Sequence, residues 1–201
     1  MDPVVIQAMA KWPNVPHCYG WLGLDARGNW YMRDDRAQAA GPFQAARGGN
    51  LASRGSLLKH EKLIDFIGRN YASDEAGQWF FQNGPQRVYL ELEVAPWVWR
   101  LSEVLVTTAE KDTGSGAAQR QVAVHAHTGQ AVQVEGCLVD ELGRVYLATD
   151  QGLGLVHTQD MELAANAVES GQWQPVTVQS ASLAQTYGFE ISPVIQNKKN
   201  N

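Results

Sequence analysis

The stretch Asp25-Ala-Arg-Gly28-Asn-Trp30-Tyr31 returns twice in altered form, as Asp74-Glu-Ala-Gly77-Gln-Trp79-Phe80 and as Asp140-Glu-Leu-Gly143-Arg-Val145-Tyr146. Each copy is an aspartate, two residues, a glycine, one further residue and an apolar pair. The spacing has a physical meaning. An aspartate side chain hydrogen-bonds its own backbone two residues on, and glycine supplies the positive φ that closes a hairpin with a bulge. The pair that follows is β-prone. Gly20-Trp-Leu-Gly-Leu24 and Gly136-Cys-Leu-Val139 stand as strands ahead of the first and third copies. The two halves therefore read as related β-hairpins, an approximate internal duplication.

Working outward, residues 34–54 are rich in Ala, Gly, Gln and Arg, and Gly41-Pro42 and Gly48-Gly49 interrupt any helical period. Ser56 is placed to cap a helix running from Leu57 to about Asn70. Its stripe is Leu57, Leu58, Ile64, Ile67 and Tyr71, widened by Leu63 and Phe66. Arg87 to Val94 alternates strictly, with Val88, Leu90, Leu92 and Val94 on one face and Arg87, Tyr89, Glu91 and Glu93 on a polar, exposed one. Trp97 to about Thr107 is a further strand. After a soft Gly/Ser stretch come a hairpin turning at Thr128-Gly129, a strand Arg144–Ala148, and a helix Met161–Glu169 that Gly171 ends. Pro175 suits an edge strand between Trp173 and Val178. These elements predict a two-lobed α+β fold of antiparallel hairpins with one helix packed per lobe. The lobes span residues 1–109 and 120–195, with a loop at 110–119 and a disordered tail at 196–201.

The chain has 201 residues and 44% hydrophobic content. That is enough to bury roughly 70% of the surface the unfolded chain exposes, so neither disulfides nor a structural metal is needed. The net charge of −5 is uneven, with residues 1–100 at +1 and residues 101–201 at −6. Without a basic stripe, nucleic acid is not an expected partner. Asp2 and Pro3 stand where a secretory leader needs positive charge, and no apolar run of 18 occurs, so neither secretion nor a membrane partner is expected. Cys18 and Cys137 have no Cys-x-x-Cys partner, which fits a reduced, cytoplasmic protein.

The segment Gly28-Asn-Trp30, Gly55-Ser-Leu57, Leu63-Ile-Asp-Phe-Ile67, Asp74 to Phe80, Gln86-Arg-Val88 and Leu92-Glu93-Val-Ala95-Pro96-Trp97 resembles the bacterial family called domain of unknown function 1285. The opening Lys11-Trp-Pro-Asn-Val-Pro16 and Cys18-Tyr-Gly-Trp-Leu22 resemble a separate proteobacterial family of unknown function more closely. The first resemblance covers about residues 20–160. It implies a two-lobed α+β fold with internal repeats and a role in signalling or regulation. The chain departs from that family at Asn83-Gly84-Pro85-Gln86-Arg87, where a Thr-Pro-x-Glu-Lys segment is usual, so a ligand contact by that acid does not carry over.

Chemistry-bearing constellations are sparse. His125 and His127, two apart on a strand, leave one face. With His157 and Asp160 at a helix start they are the one grouping that would suit a metal-dependent hydrolase, although their spacing matches no metal motif. Trp97 and Trp99 share a strand face and would either fill a core or line an apolar pocket. There is no Gly-x-Ser-x-Gly, no phosphate-binding loop and no cofactor motif; Gly152-Leu-Gly154 reads as a plain loop. The expectation is a non-enzymatic binding or regulatory module without cofactor. It takes a small-molecule ligand or a protein partner between lobes at His125, His127, His157, Asp160, Trp97 and Trp99. Imidazoles there would make binding pH-sensitive near their unperturbed pKa of roughly 6.5.

Overall fold

The computed structural model describes residues 1–108 and 117–193. Most of the expected loop 110–119 and all of the tail 196–201 lie outside the described residues. The fold is α+β, with two mixed sheets and, among the described residues, six α-helices in two compact units. One unit is Met1–Pro96 with the described part of Leu183–Asn201, and the other is Trp97–Ser182.

The first unit opens with helix α1 (Pro3–Lys11), which the sequence reading missed; Pro3 stands at its first position, where no intrahelical N–H is needed. Its sheet contains β1 (Cys18–Leu24), β2 (Trp30–Met32), β3 (Ser56–Leu57), β4 (Tyr71–Ser73), β5 (Trp79–Asn83) and β6 (Gln86–Leu92), in the order β3-β2-β1-β6-β5-β4. Among the described strands of this sheet, only β1 and β6 run parallel. The segment between β2 and β3 folds into two short helices, α2 (Asp35–Ala39) and α3 (Leu51–Arg54), each started by an Asp or Asn side chain on its first-turn N–H groups. The expected helix from Leu57 divides. Leu57 pairs with Tyr31, and the Leu58 N–H bonds the Trp30 carbonyl, so helix α4 (Glu61–Arg69) begins later, capped by His60 in place of Ser56. Its Ile67 is buried in a core with Leu22, Leu24, Trp30, Phe81, Leu90 and Leu92.

The second unit is a seven-stranded sheet. It contains β7 (Trp97–Thr108), β8 (Ala117–Ala126), β9 (Ala131–Val132), β10 (Val134–Asp140), β11 (Val145–Thr149), β12 (Gly152–Val156) and β13 (Pro175–Val178), ordered β13-β10-β11-β12-β7-β8-β9. Only Gln133 separates β9 at one end from β10 near the other. Consecutive Cα atoms are about 3.8 Å apart, so the sheet must curl into a barrel closed through Gln133. Beyond that closure the barrel splits: β10 leaves β8 and takes β13 along its edge. Pro175 does sit on that edge strand. Helix α5 (Met161–Glu169) has the predicted bounds and ends at Gly171, φ 77°. The expected loop at Gly152–Gly154 is strand β12, parallel to β7. A Cβ on Gly154 would lie 2.5 Å from the Trp99 ring, so its glycine serves close packing rather than a loop. A sixth helix, α6 (Ser180–Thr186), was not foreseen.

The three Asp-x-x-Gly copies form the same turn, between β1 and β2, β4 and β5, and β10 and β11. In each, Oδ1 of the aspartate accepts from the N–H groups two and four residues on. The glycines have φ of 79°, 74° and 74°. A fourth hairpin, from Ala126 to Gln130, makes the same backbone bonds with Gly129 at φ 88°, without the aspartate. β1 pairs antiparallel with β2 and parallel with β6, as β10 does with β11 and β13, which is the arrangement a duplication requires.

Candidate cleft in the second unit

Strand β7 carries Trp97 and Trp99 toward the barrel interior. Trp99 is fully buried, its indole N–H donating to the Leu147 carbonyl at 2.9 Å, and Trp97 stacks on it with centroids 5.7 Å apart. Both tryptophans are core. The next residue, Arg100, leaves the other face, opposite His125 on β8. Its guanidinium grips Asp160 in a forked pair, 2.6 and 3.2 Å, and the Leu101 N–H adds a third bond to that carboxylate at 3.1 Å. Burial by itself would raise the Asp160 carboxyl, but the Arg100 bonds, the Leu101 N–H and the charges of Arg100 and His157 outweigh it, and its pKa lies below the ordinary value. His157 is buried; its N–H donates to the Trp99 carbonyl, and its Nδ1 accepts from the Gln159 N–H at 3.1 Å. The Nδ1 of His127 accepts from the Val98 N–H, and its ring lies 5.6 Å from that of Trp97.

The six sequence-derived residues thus divide. His127 lies past the end of β8 beside Trp97, and His157 caps the turn that carries Asp160. A row across the outer face runs from His125, opposite Arg100 in register, to Asp160, which bonds the guanidinium of Arg100, a residue the sequence reading missed. Its signal was alternation: it is the cation outward of two inward tryptophans. Trp97 and Trp99 lie in the core behind that row. Among the described residues, no three of His, Cys, Asp or Glu are placed to hold a metal ion. Both cysteines are free, and burial raises the Cys137 thiol.

Of the six, His125 lines a cleft within this unit. The cleft, about 380 Å³, opens where β8 and β10 diverge. Its walls include Gln121, Ala123 and His125 of β8, Gln133 and Val134 of the crossing strand, and Gln172 and Trp173 beyond α5; among the described residues no Asp, Glu, Lys or Arg lines it. Volume and lining suit a small uncharged group carrying hydrogen-bonding atoms. The first unit buries its charges differently. Arg33, 3% exposed, donates to the carbonyls of Ser53, Gly20 and Gly41. Glu91, expected on an exposed face, is 4% exposed and accepts from Gln44 Nε2 at 3.0 Å. The 34–54 segment lies over that face, Phe43 pressing on Gly23 beside Glu91.

The chain belongs to the family DUF2944, described as "Protein of unknown function (DUF2946)", whose model matches residues 1–194. It is also similar to a solved structure, a DUF1285 family protein from Silicibacter pomeroyi DSS-3, at 11% identity and a TM-score of 0.47, over 82% of this chain and 75% of that one. No curated protein matches. Among the described residues, no helix is long and apolar enough to cross a membrane.

Proposed function

We propose that this protein is a non-enzymatic binding module with a regulatory role, its ligand held in the second unit's cleft beside His125. The observation that carries this reading is the cleft itself: a concave, uncharged surface walled by a tryptophan, three glutamine side chains and an imidazole. Arg100 and Asp160 are engaged with each other in a forked pair, and His157 caps the turn that carries Asp160, so this reading leaves them as a structural frame rather than as ligand contacts.

A thermal-shift screen of metabolites and short peptides tests it, run on wild-type protein and on His125→Ala. His125 is only half-buried, so its removal should leave the fold intact. The expected result is a compound that raises the wild-type melting temperature and loses that effect in His125→Ala. A stoichiometric metal retained through dialysis, with compounds acting equally on both proteins, overturns the reading in favour of metal-dependent chemistry.

A further inference from the structure

We propose that the occupant of this cleft is an extended peptide segment with uncharged side chains, added as a strand to β8 opposite Val122; the proposal rests on the cleft being the binding site. The register of the sheet locates the place. Val124 pairs with Val132 and His125 with Ala131. Continued antiparallel, that register would set Val134 opposite Val122. Instead the chain turns away at Gln133, whose N–H donates to the Asp150 carboxylate at 2.9 Å, and Val134 pairs with Thr149. The position opposite Val122 is therefore vacated by the strand that should fill it.

What fills it is a side-chain amide. Gln172 Oε1 accepts from the Val122 N–H at 2.8 Å, and Gln172 Nε2 donates to the Val122 carbonyl at 2.7 Å. A primary amide making both bonds takes the place of the one residue of an antiparallel neighbouring strand whose own C=O and N–H would pair with the N–H and C=O of Val122. Gln172 itself is exposed, so an incoming strand need only swing it into water. It also stands between two hollows, the 380 Å³ cleft and a second of about 250 Å³ beside Arg120 and Glu103, both of which it lines with Gln121 and Val122. Moving it aside joins them into one groove along the β8 edge. Alternate side chains of an added strand would meet Gln121, Ala123 and Val104, on the face that carries His125.

The extent of the vacated edge favours a short segment over a second copy of the chain. It is the ladder position at Val122, bounded by the β9 pairing at Val124 and His125, whereas a stable dimer needs about 1,200–2,000 Å² of buried surface in all.

The test uses full-length, ¹⁵N-labelled protein and blocked hexapeptides of valine, threonine and alanine, followed by NMR. The expected result is saturable shifts of the Val122 N–H and the Gln172 side-chain NH₂, with tighter binding in Gln172→Ala, where the competing amide is gone. N-methylating the peptide at its pairing position removes a ladder donor and should weaken binding by about tenfold. Shifts confined to His125 and Trp173, indifferent to N-methylation, overturn strand addition while leaving the cleft a binding site. No shift with peptides, nor with any compound of the thermal screen, removes both readings. Self-association of Gln172→Ala in place of peptide binding assigns the edge to a second copy and overturns the peptide proposal.

Discussion

Gly77 and Gly143 hold the same turn position at the same φ of 74°, yet they should respond unequally to substitution. A Cβ at Gly143 meets nothing within 4 Å, whereas at Gly77 it would be driven into the Gly188 carbonyl. Gly143→Ala should cost about 1 kcal/mol for the left-handed backbone alone, and Gly77→Ala about 3 kcal/mol or more once the clash is added. Urea unfolding of the two variants checks this. Equal losses would mean the C-terminal segment does not hold Gly77. The turn was legible in the sequence because all its bonds lie within five residues. Burial of Glu91 was not, because it depends on Gln44, 47 residues away.

Asp140 and Asp160 make a pH prediction of definite sign. Burial raises both carboxyls, but Arg144 with two N–H groups on Asp140, and Arg100 with Leu101 on Asp160, bring both below the ordinary 3.8. The stability they contribute is therefore present above pH about 4 and lost as pH falls through the depressed folded values. Urea midpoints between pH 2 and 6 should fall steeply below pH 4, and Asp160→Asn should flatten part of that fall; an unchanged slope would show that the forked Arg100 pair is not formed.

At the scale of elements, the 34–54 segment shows why a loop composition misleads. It looks structureless in sequence, but Arg33 reaches across it to three carbonyls, and Asn50 and Ser53 exchange the two bonds of a capping box. Arg33→Lys should not preserve this, since an ammonium cannot reproduce a fork directed at separate carbonyls. Hydrogen exchange at residues 41–55 is expected to speed by more than tenfold while β6 keeps its protection. Unaltered exchange would show that the short helices alone order the segment. Strand β12 was hidden for a related reason: Gly152 and Gly154 look like a loop until Trp99, fixed by its own bond to Leu147, demands a residue without a side chain. Helix α5, with its local stop at Gly171, was readable to the residue.

At the scale of the whole molecule, the sequence conveyed the α+β class and the repeated hairpin, because period and turn chemistry are local. It conveyed little of the site. The cleft arises from topology: one strand serves as β9 toward β8 and, a single residue later, as β10 toward β11, leaving a split that no periodicity reveals. Aromatic side chains drew attention to Trp97 and Trp99, which the barrel needs for its core, while Trp173 and Gln172 at the split carried no sequence signal beyond following a helix stop. The proposed binding site is this split. Chemical-shift mapping of the full-length protein against the hits of the ligand screen tests it most directly. Perturbations should centre on Gln121–His125, Gln133 and Gln172–Trp173; a map centred in the first unit, or on the core tryptophans alone, would contradict it.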